Sequence, residues 1–128
     1  MRIVVIGAVA AGTSAAAKAR RNNDQADIVI YERDTHISYS GCGLPYYIGG
    51  EVEEIDELTP RNPAFFKKKY NVDIFTGHEV LDVDVDHRQI TVENLTSGEV
   101  FTDCYDKLVL ATGASAFRPN ITGVELDH

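Results

Sequence analysis

Continuous apolar runs and an alanine-rich stretch set the hydrophobic pattern of the first residues. The run Arg2–Ile6 has the composition of a strand buried on both faces, and Asp27–Tyr31 is a second apolar run that predicts a strand. Residues 13–21, between them, are rich in alanine and close with basic residues, which favours a helix. Residues 72–75 predict another strand, and residues 107–111 predict a last, buried one. The pattern therefore indicates an α/β fold with a parallel sheet.

From residue 80 to residue 104 the pattern changes to a period of two. Apolar and acidic residues alternate over 80–86, and the strand-like segments 90–95 and 99–104 follow, joined by a turn at 96–98. This predicts a small antiparallel meander with one solvated face. The aspartates of its first strand lack the turn glycine and the distal glutamate of a calcium loop, so a solvated strand face is favoured over a metal site.

The turn between the first strand and the helix has the composition of a dinucleotide-binding loop. Gly7 permits a tight turn, Gly12 lets the helix pack close to the strand, and free N–H groups at the helix start would face a pyrophosphate. Glu32 ends the second strand, where it could accept hydrogen bonds from a ribose. A full fingerprint has glycine where this chain has Val9. Strand, helix, acid and spacing together favour a dinucleotide site over an ordinary alanine-rich crossover.

Composition narrows the class of protein. The 128 residues carry a net charge of −8, with 44% hydrophobic and 25% charged residues. This suits one domain with its own core, and the acidic balance disfavours nucleic-acid binding. No apolar run has the length of a membrane span, and a signal-peptide pattern is missing, so we expect a cytoplasmic protein. Two distant cysteines, Cys42 and Cys104, make a structural disulfide improbable, and the histidines show no metal-ligand spacing with them.

Residues 34–50 are the most unusual stretch, with four glycines and three tyrosines. Ser40 or Gly41 could cap a short helix that holds Cys42 in its first turn, with Pro45 tolerated near that end. A helix N-terminus favours the thiolate form of a cysteine. Cys42 could equally be a small buried apolar residue, and composition alone leaves both interpretations open.

Residues 38–47 resemble the single-cysteine signature of coenzyme A-disulfide reductases. These enzymes belong to the flavin-dependent pyridine nucleotide-disulfide oxidoreductases, with NADH oxidases, NADH peroxidases and persulfide reductases. Tyr39 stands where phenylalanine is usual. This branch often carries Gly-x-Val-Ala-x-Gly, so Val9 departs from the general fingerprint but not from these relatives. Residues 111–113, Ala-Thr-Gly, resemble the second flavin-contact motif of the family. The resemblance implies a Rossmann-like FAD-binding domain that carries the meander.

The resemblance also implies a reaction: reduction of coenzyme A disulfide, or of a related coenzyme A mixed disulfide or persulfide, with FAD and NAD(P)H. Cys42 would be the catalytic thiol. No second cysteine is near it in sequence, so its oxidised form must be a mixed disulfide, a persulfide or a sulfenic acid. The implied cofactor contacts are Gly7, Ala8, Ala10, Ala11, Gly12, Glu32, Arg33, Val80, Ala111, Thr112 and Gly113.

The implied substrate contacts are Ser14, Lys18, Arg21, Ser38 and Lys69. Simpler interpretations exist for the basic ones. Lys18 and Arg21 could be ordinary helix-end charges, and Lys69 belongs to a predicted short helix, 64–70, whose three lysines would form a solvated face while Phe65 and Phe66 pack inward.

On this resemblance, residues 1–128 would be the N-terminal segment of the FAD-binding domain. The NAD(P)H-binding domain and the C-terminal dimerisation domain would lie outside them, and the complete enzyme would be a homodimer. One alternative is an NADH oxidase that uses a Cys42 sulfenic acid, and another is a non-catalytic flavin- or nucleotide-binding fragment. The glycine loop has Ala10 and no histidine, which argues against an NADH peroxidase. The choice between NADH and NADPH stays open.

Overall fold

A computed structural model of the chain describes residues 1–37, 41–54, 61–115 and 117–126. Two sheets and three α-helices make up this part of the chain. Four strands form the first sheet and three strands the second. In chain order the elements are β1 (Arg2–Ile6), α1 (Ala11–Asn22), β2 (Asp27–Tyr31), a 3₁₀ turn (Gly41–Gly43), α2 (Leu44–Ile48), α3 (Pro63–Tyr70), β3 (Asp73–Phe75), β4 (His78–Asp84), β5 (Gln89–Asn94), β6 (Val100–Cys104) and β7 (Lys107–Leu110).

The larger sheet is parallel and has the strand order β3-β2-β1-β7. In its register, Val4 of β1 lies between Val29 of β2 and Leu108 of β7. The helix α1 makes the crossover between β1 and β2, as parallel neighbours require. The chain therefore winds from β1 toward β2 in one direction and returns to the other side of β1 with β7.

Alternate residues of β1 and β2 enter two different core clusters. On one face Val5 and Ile28 pack with Ala16 of α1 and Phe66 of α3. On the opposite face, the cluster that includes Val4, Val29, Tyr31, Ile90 and Val92 joins the sheet to the antiparallel meander of β4, β5 and β6. The prediction of a strand buried on both faces is thus confirmed for β1, and β2 is buried in the same way.

The helix α3 has clear end signals. The Asn62 side chain accepts a hydrogen bond from the Phe65 N–H at 2.9 Å, and Pro63 occupies the first turn. At the other end Asn71 adopts the left-handed conformation with φ of 53°. Arg20 of α1 secures that end, since its Nε donates to the Tyr70 carbonyl at 2.8 Å. The two helices are therefore fixed to each other through backbone as well as core contacts.

Two expectations about strands were wrong. The strand β7 is not buried, because it lies at the edge of the sheet and Leu110 is 67% exposed. Strict alternation along β4 also fails, since a bulge between Val80 and Asp82 lets both Val80 and Val83 pack on the meander-side core. The meander itself is confirmed.

Candidate functional site

A cleft of about 280 Å³ opens at the carboxyl ends of β1, β2 and β7. Open parallel sheets bind ligands at this edge, at the point where the chain turns from one side of a strand to the other. The first residues of β4, which belong to the meander, also line the cleft. Its lining residues are Ile6, Gly7, Tyr31, Glu32, Arg33, His78, Glu79, Val80, Thr112, Gly113, Ala114 and Ser115.

Gly7 needs to be glycine for two separate reasons. Its φ is +105°, a conformation that side chains rarely adopt, and a Cβ there would come within 2.7 Å of the Ala111 carbonyl carbon. The Gly7 N–H donates to the Tyr31 carbonyl at 2.9 Å. Gly7 therefore packs the loop after β1 against the end of β7 and ties it to β2.

Gly12 allows α1 to pack closely against β1 because it has no Cβ. A Cβ at this position would come within 2.9 Å of the Gly7 carbonyl carbon and 3.1 Å of a Val5 methyl carbon. The helix begins at Ala11, two residues before the predicted start, and Ala10 at its N-cap gives it no side-chain cap hydrogen bond. The N–H groups of the first turn are thus left for a ligand, since the first turn has no intrahelical partners for them.

Val9 is compatible with this loop. It is 45% exposed, and the non-glycine residues of the described ranges that have positive φ are Asn71 and Arg88. Position 9 therefore has no conformational need for glycine. The departure from the general fingerprint leaves the turn intact.

Glu32 is 8% exposed and joins the loop after β1 to the loop after β2. Its Oε1 accepts a hydrogen bond from the Ala8 N–H at 3.0 Å, and its Oε2 accepts one from the Asp34 N–H at 2.9 Å. The carboxylate thus lies at the end of β2, as the sequence predicts, and is bonded to backbone of the glycine loop.

The structure divides the predicted cofactor residues into two groups. Gly7, Glu32, Arg33, Val80, Thr112 and Gly113 line the cleft. Ala8 is buried, Ala10 and Ala11 are exposed at the start of α1, and Gly12 and Ala111 each lie in close backbone contact with Gly7 at the edge of the cleft. Sequence reasoning missed the other six lining residues, although each lies within two positions of a predicted one: Ile6, Tyr31, His78, Glu79, Ala114 and Ser115. The His78 ring is held by its Nδ1, 2.8 Å from the Thr76 carbonyl.

Cys42 lies exposed in the 3₁₀ turn directly before α2. This differs from the expected position within the first helical turn, because the α-helix begins at Leu44 with Gly43 as its N-cap and Pro45 in its first turn. The alternative of a buried apolar cysteine is wrong. Ser38 and Ser40 lie outside the described residues. Ile37, the last described residue before them, is buried in the same core cluster as Ala16 and Phe66, on the helix-bearing face of the sheet.

Three basic side chains lie near Tyr70 on that same face. We name Arg21, Arg61, Phe65, Lys69 and Tyr70 the basic–aromatic patch. The Lys69 Nζ lies 5.5 Å from the ring centres of both Phe65 and Tyr70, and the Arg61 guanidinium carbon lies 5.4 Å from the Phe65 ring centre. A hydrogen bond from the Arg21 side chain, aided by the charges of Lys69 and Arg61, lowers the pKa of Tyr70. The patch therefore has a positive field that favours anions.

The other predicted substrate residues, Ser14 and Lys18, are exposed on α1. Cys104, also exposed, ends β6 in the meander, and within the described ranges both cysteines are free.

No cluster of potential metal ligands occurs among the described residues. Where the structure is described, none of the helices combines the length and apolar character that crossing a bilayer requires.

Residues 1–128 match the family model described as pyridine nucleotide-disulphide oxidoreductase. The chain belongs to this family. Coenzyme A disulfide reductase of Staphylococcus haemolyticus is 39% identical over 127 residues, which are 99% of this chain and 28% of that protein.

Two solved structures extend the comparison. A NAD-dependent persulfide reductase from A. fulgidus has a TM-score of 0.91 at 40% identity, over 98% of this chain and 23% of that one. A water-forming NADH oxidase from Lactobacillus brevis has a TM-score of 0.89 at 34% identity, over 99% of this chain and 28% of that one. The matches confirm the Rossmann-like fold with its small antiparallel sheet. The chain spans less than a third of the length of these relatives.

Proposed function

We propose that this chain provides the FAD site and the reactive thiol of a NAD(P)H-dependent enzyme that reduces coenzyme A disulfide or a related coenzyme A mixed disulfide. The observation that carries the proposal is the basic–aromatic patch. It brings Arg21 of α1 and Lys69 of α3 together at Tyr70, on the face of the sheet where Ile37, the last described residue before the Cys42 turn, is buried. Coenzyme A carries several phosphate charges, and clustered cations attract such a ligand.

The described residues fit a dinucleotide cofactor. The loop that contains Gly7 and Gly12 and the uncapped start of α1 suit the pyrophosphate of FAD. The Glu32 carboxylate suits a ribose. The remaining contacts would come from Ala8, Ala10, Ala11, Arg33, Val80, Ala111, Thr112 and Gly113. Bound FAD would supply the two-electron transfer from NAD(P)H to a disulfide. The cleft of about 280 Å³ suits part of such a ligand rather than all of it.

The step that belongs to this chain is thiol–disulfide exchange at Cys42. Its thiolate attacks one sulfur of coenzyme A disulfide, a new sulfur–sulfur bond joins Cys42 to one coenzyme A, and the second coenzyme A leaves as a thiolate. This exchange needs no outside oxidant or reductant. Arg21 and Lys69, with Ser14, Lys18 and Ser38, would hold the coenzyme A during the attack. Two electrons from NAD(P)H would then reduce the disulfide between Cys42 and the bound coenzyme A, which would leave as a thiolate and regenerate the Cys42 thiolate.

The wider organisation is part of the same proposal. Residues 1–128 would be the N-terminal segment of the FAD-binding domain in a cytoplasmic homodimer whose NAD(P)H-binding and dimerisation domains lie outside this range. The persulfide reductase and the NADH oxidase among the matched structures define the main competing reactions. Both would use Cys42, as a persulfide or as a sulfenic acid.

Intact mass spectrometry after incubation with coenzyme A disulfide tests the proposal. We expect the chain to gain one coenzyme A, bound through a disulfide that a reductant removes. Cys104→Ser should gain the same adduct, and Cys42→Ser should gain none while keeping its affinity for FAD. An adduct on Cys104 alone, or an unmodified protein, would overturn the assignment. In the complete enzyme, Cys42→Ser should abolish disulfide reduction.

A further inference from the structure

The Glu32 carboxylate has two partners before any ligand arrives. One oxygen accepts from Ala8, in the loop after β1, and the other accepts from Asp34, in the loop after β2. Both donors are backbone N–H groups, and hydrogen bonds to an ionised acceptor are stronger than neutral ones. The Ala8 N–H is 24 residues away in sequence, so this bond connects separate parts of the chain.

The position of Glu32 is itself fixed by backbone hydrogen bonds on both sides. Its N–H donates to the Phe75 carbonyl at 2.9 Å, and its carbonyl accepts from the His78 N–H at 3.0 Å. Residue 32 therefore bridges the end of β3 and the start of β4. A side chain on such a rigid base can in turn hold the loop that contains Ala8.

We propose that Glu32 is a positioning residue that holds the glycine loop in its ligand-binding conformation through the Ala8 N–H. The role is separate from the ribose contact predicted for the same side chain, and it does not depend on which nucleotide binds. A carboxylate has about four acceptor positions, so two backbone bonds leave capacity for ribose hydroxyl groups. The loop is thereby ordered in advance, which lowers the entropic cost of binding a pyrophosphate.

Glu32→Gln separates the two roles. The amide has nearly the same shape, but it has one acceptor oxygen, and its NH₂ group would face a backbone N–H donor. One of the two backbone amides therefore loses its partner. We expect amide hydrogen exchange at Ala8 or Asp34 in the ligand-free chain to become about 10- to 100-fold faster, with exchange of core amides such as Val29 and Ile90 unchanged. Glu79→Gln, the same change in another carboxylate of the cleft, is the matched control and should leave both amides unaffected.

Ligand binding supplies the second measurement. ADP and 2′,3′-dideoxy-ADP both carry the pyrophosphate, but only ADP has ribose hydroxyl groups. If Glu32 positions the loop, Glu32→Gln weakens binding of both ligands, measured by titration calorimetry. Unchanged exchange at Ala8 and Asp34 would overturn the proposal, as would faster exchange throughout the sheet, which indicates general destabilisation. A loss confined to ADP would assign Glu32 to the ribose alone. None of these outcomes depends on the chemistry of Cys42.

Discussion

Gly7 and Ala111 are in backbone contact, although they belong to two motifs at opposite ends of the chain. A Cβ on Gly7 would come within 2.7 Å of the Ala111 carbonyl carbon, and the Ala111 N–H donates to the Ile6 carbonyl at 2.8 Å. The loop after β1 and the Ala-Thr-Gly segment after β7 therefore form one unit. Each shapes the cleft through the position of the other.

Gly7→Ala should be strongly destabilising. The alanine would have to adopt φ of +105° and would also overlap with Ala111, so strain and overpacking add up to a loss of about 3 kcal/mol or more. Gly98→Ala is the matched control, because Gly98 has φ of +76° but open space around its Cβ position. There we expect about 1–2 kcal/mol from backbone strain alone. Urea unfolding of the three proteins measures the difference, and equal losses would show that the Ala111 contact is unimportant.

Asp103 connects the two sheets. It accepts hydrogen bonds from the Tyr31 hydroxyl at 2.7 Å and from the Arg2 guanidinium at 2.6 and 3.1 Å, and Arg2 also pairs with Asp27. Burial alone would raise the pKa of Asp103, but the hydrogen bonds from Arg2 and Tyr31 outweigh it and lower that pKa below 3.8. Burial and the bond to Asp103 raise the pKa of Tyr31.

This network predicts an acid-dependent loss of stability. Because the pKa of Asp103 is lower in the folded chain than its ordinary value of 3.8, ionised Asp103 contributes stability above about pH 4. The contribution is lost as the pH falls from there through the folded pKa. Asp103→Asn should therefore lower stability near pH 7 and make it less dependent on pH between 5 and 3, measured by urea unfolding at each pH. Asp82→Asn, on an exposed part of the meander, should keep the wild-type slope; an unchanged slope in Asp103→Asn would contradict the prediction.

Features that depend only on residues close together in the sequence could be predicted from it. The roles of Gly7 and Gly12 and the position of Glu32 follow from short-range spacing around one strand–turn–helix unit, and the structure places them as expected. The exposure of Leu110 depends on the order of strands in the sheet, which no local pattern encodes. The bulge in β4 likewise depends on pairing with β5.

The basic–aromatic patch depends on how α1 and α3 pack, which the sequence does not encode locally. Lys69 belongs to a lysine run, a pattern that predicts a solvated helix face. Only tertiary contacts bring Arg21 near Tyr70. Arg61 and Tyr70 were missed for the same reason. The Ser38 assignment lies outside the described residues.

Arg21→Ala should raise the pKa of Tyr70 toward its ordinary value of 10.0. The Arg21 side chain is the main cause of the lowered value, because its hydrogen bond and charge favour the phenolate. Carbon NMR of labelled tyrosine rings follows the titration, and Tyr70→Phe identifies the signal. Arg33→Ala, in the cleft, should leave the titration unchanged. A Tyr70 pKa that is the same with and without Arg21 would show that the two side chains do not interact in solution.

Lys69→Ala and Arg21→Ala should each slow formation of the coenzyme A adduct on Cys42 by about 1.4- to fivefold, since an exposed charge contact contributes about 0.2–1 kcal/mol. The effect should shrink as salt is added, because ions screen the attraction to phosphate. Lys68→Ala is the matched control, because Lys68 is the exposed neighbour on α3 and no contact within the patch involves it. Time-resolved intact mass measures the rates, with the uncharged 2-hydroxyethyl disulfide as a second reagent. Its rate should be the same in all variants, because it has no phosphate for the patch to attract. Equal slowing with both reagents would mean that the substitutions alter the Cys42 turn rather than phosphate binding.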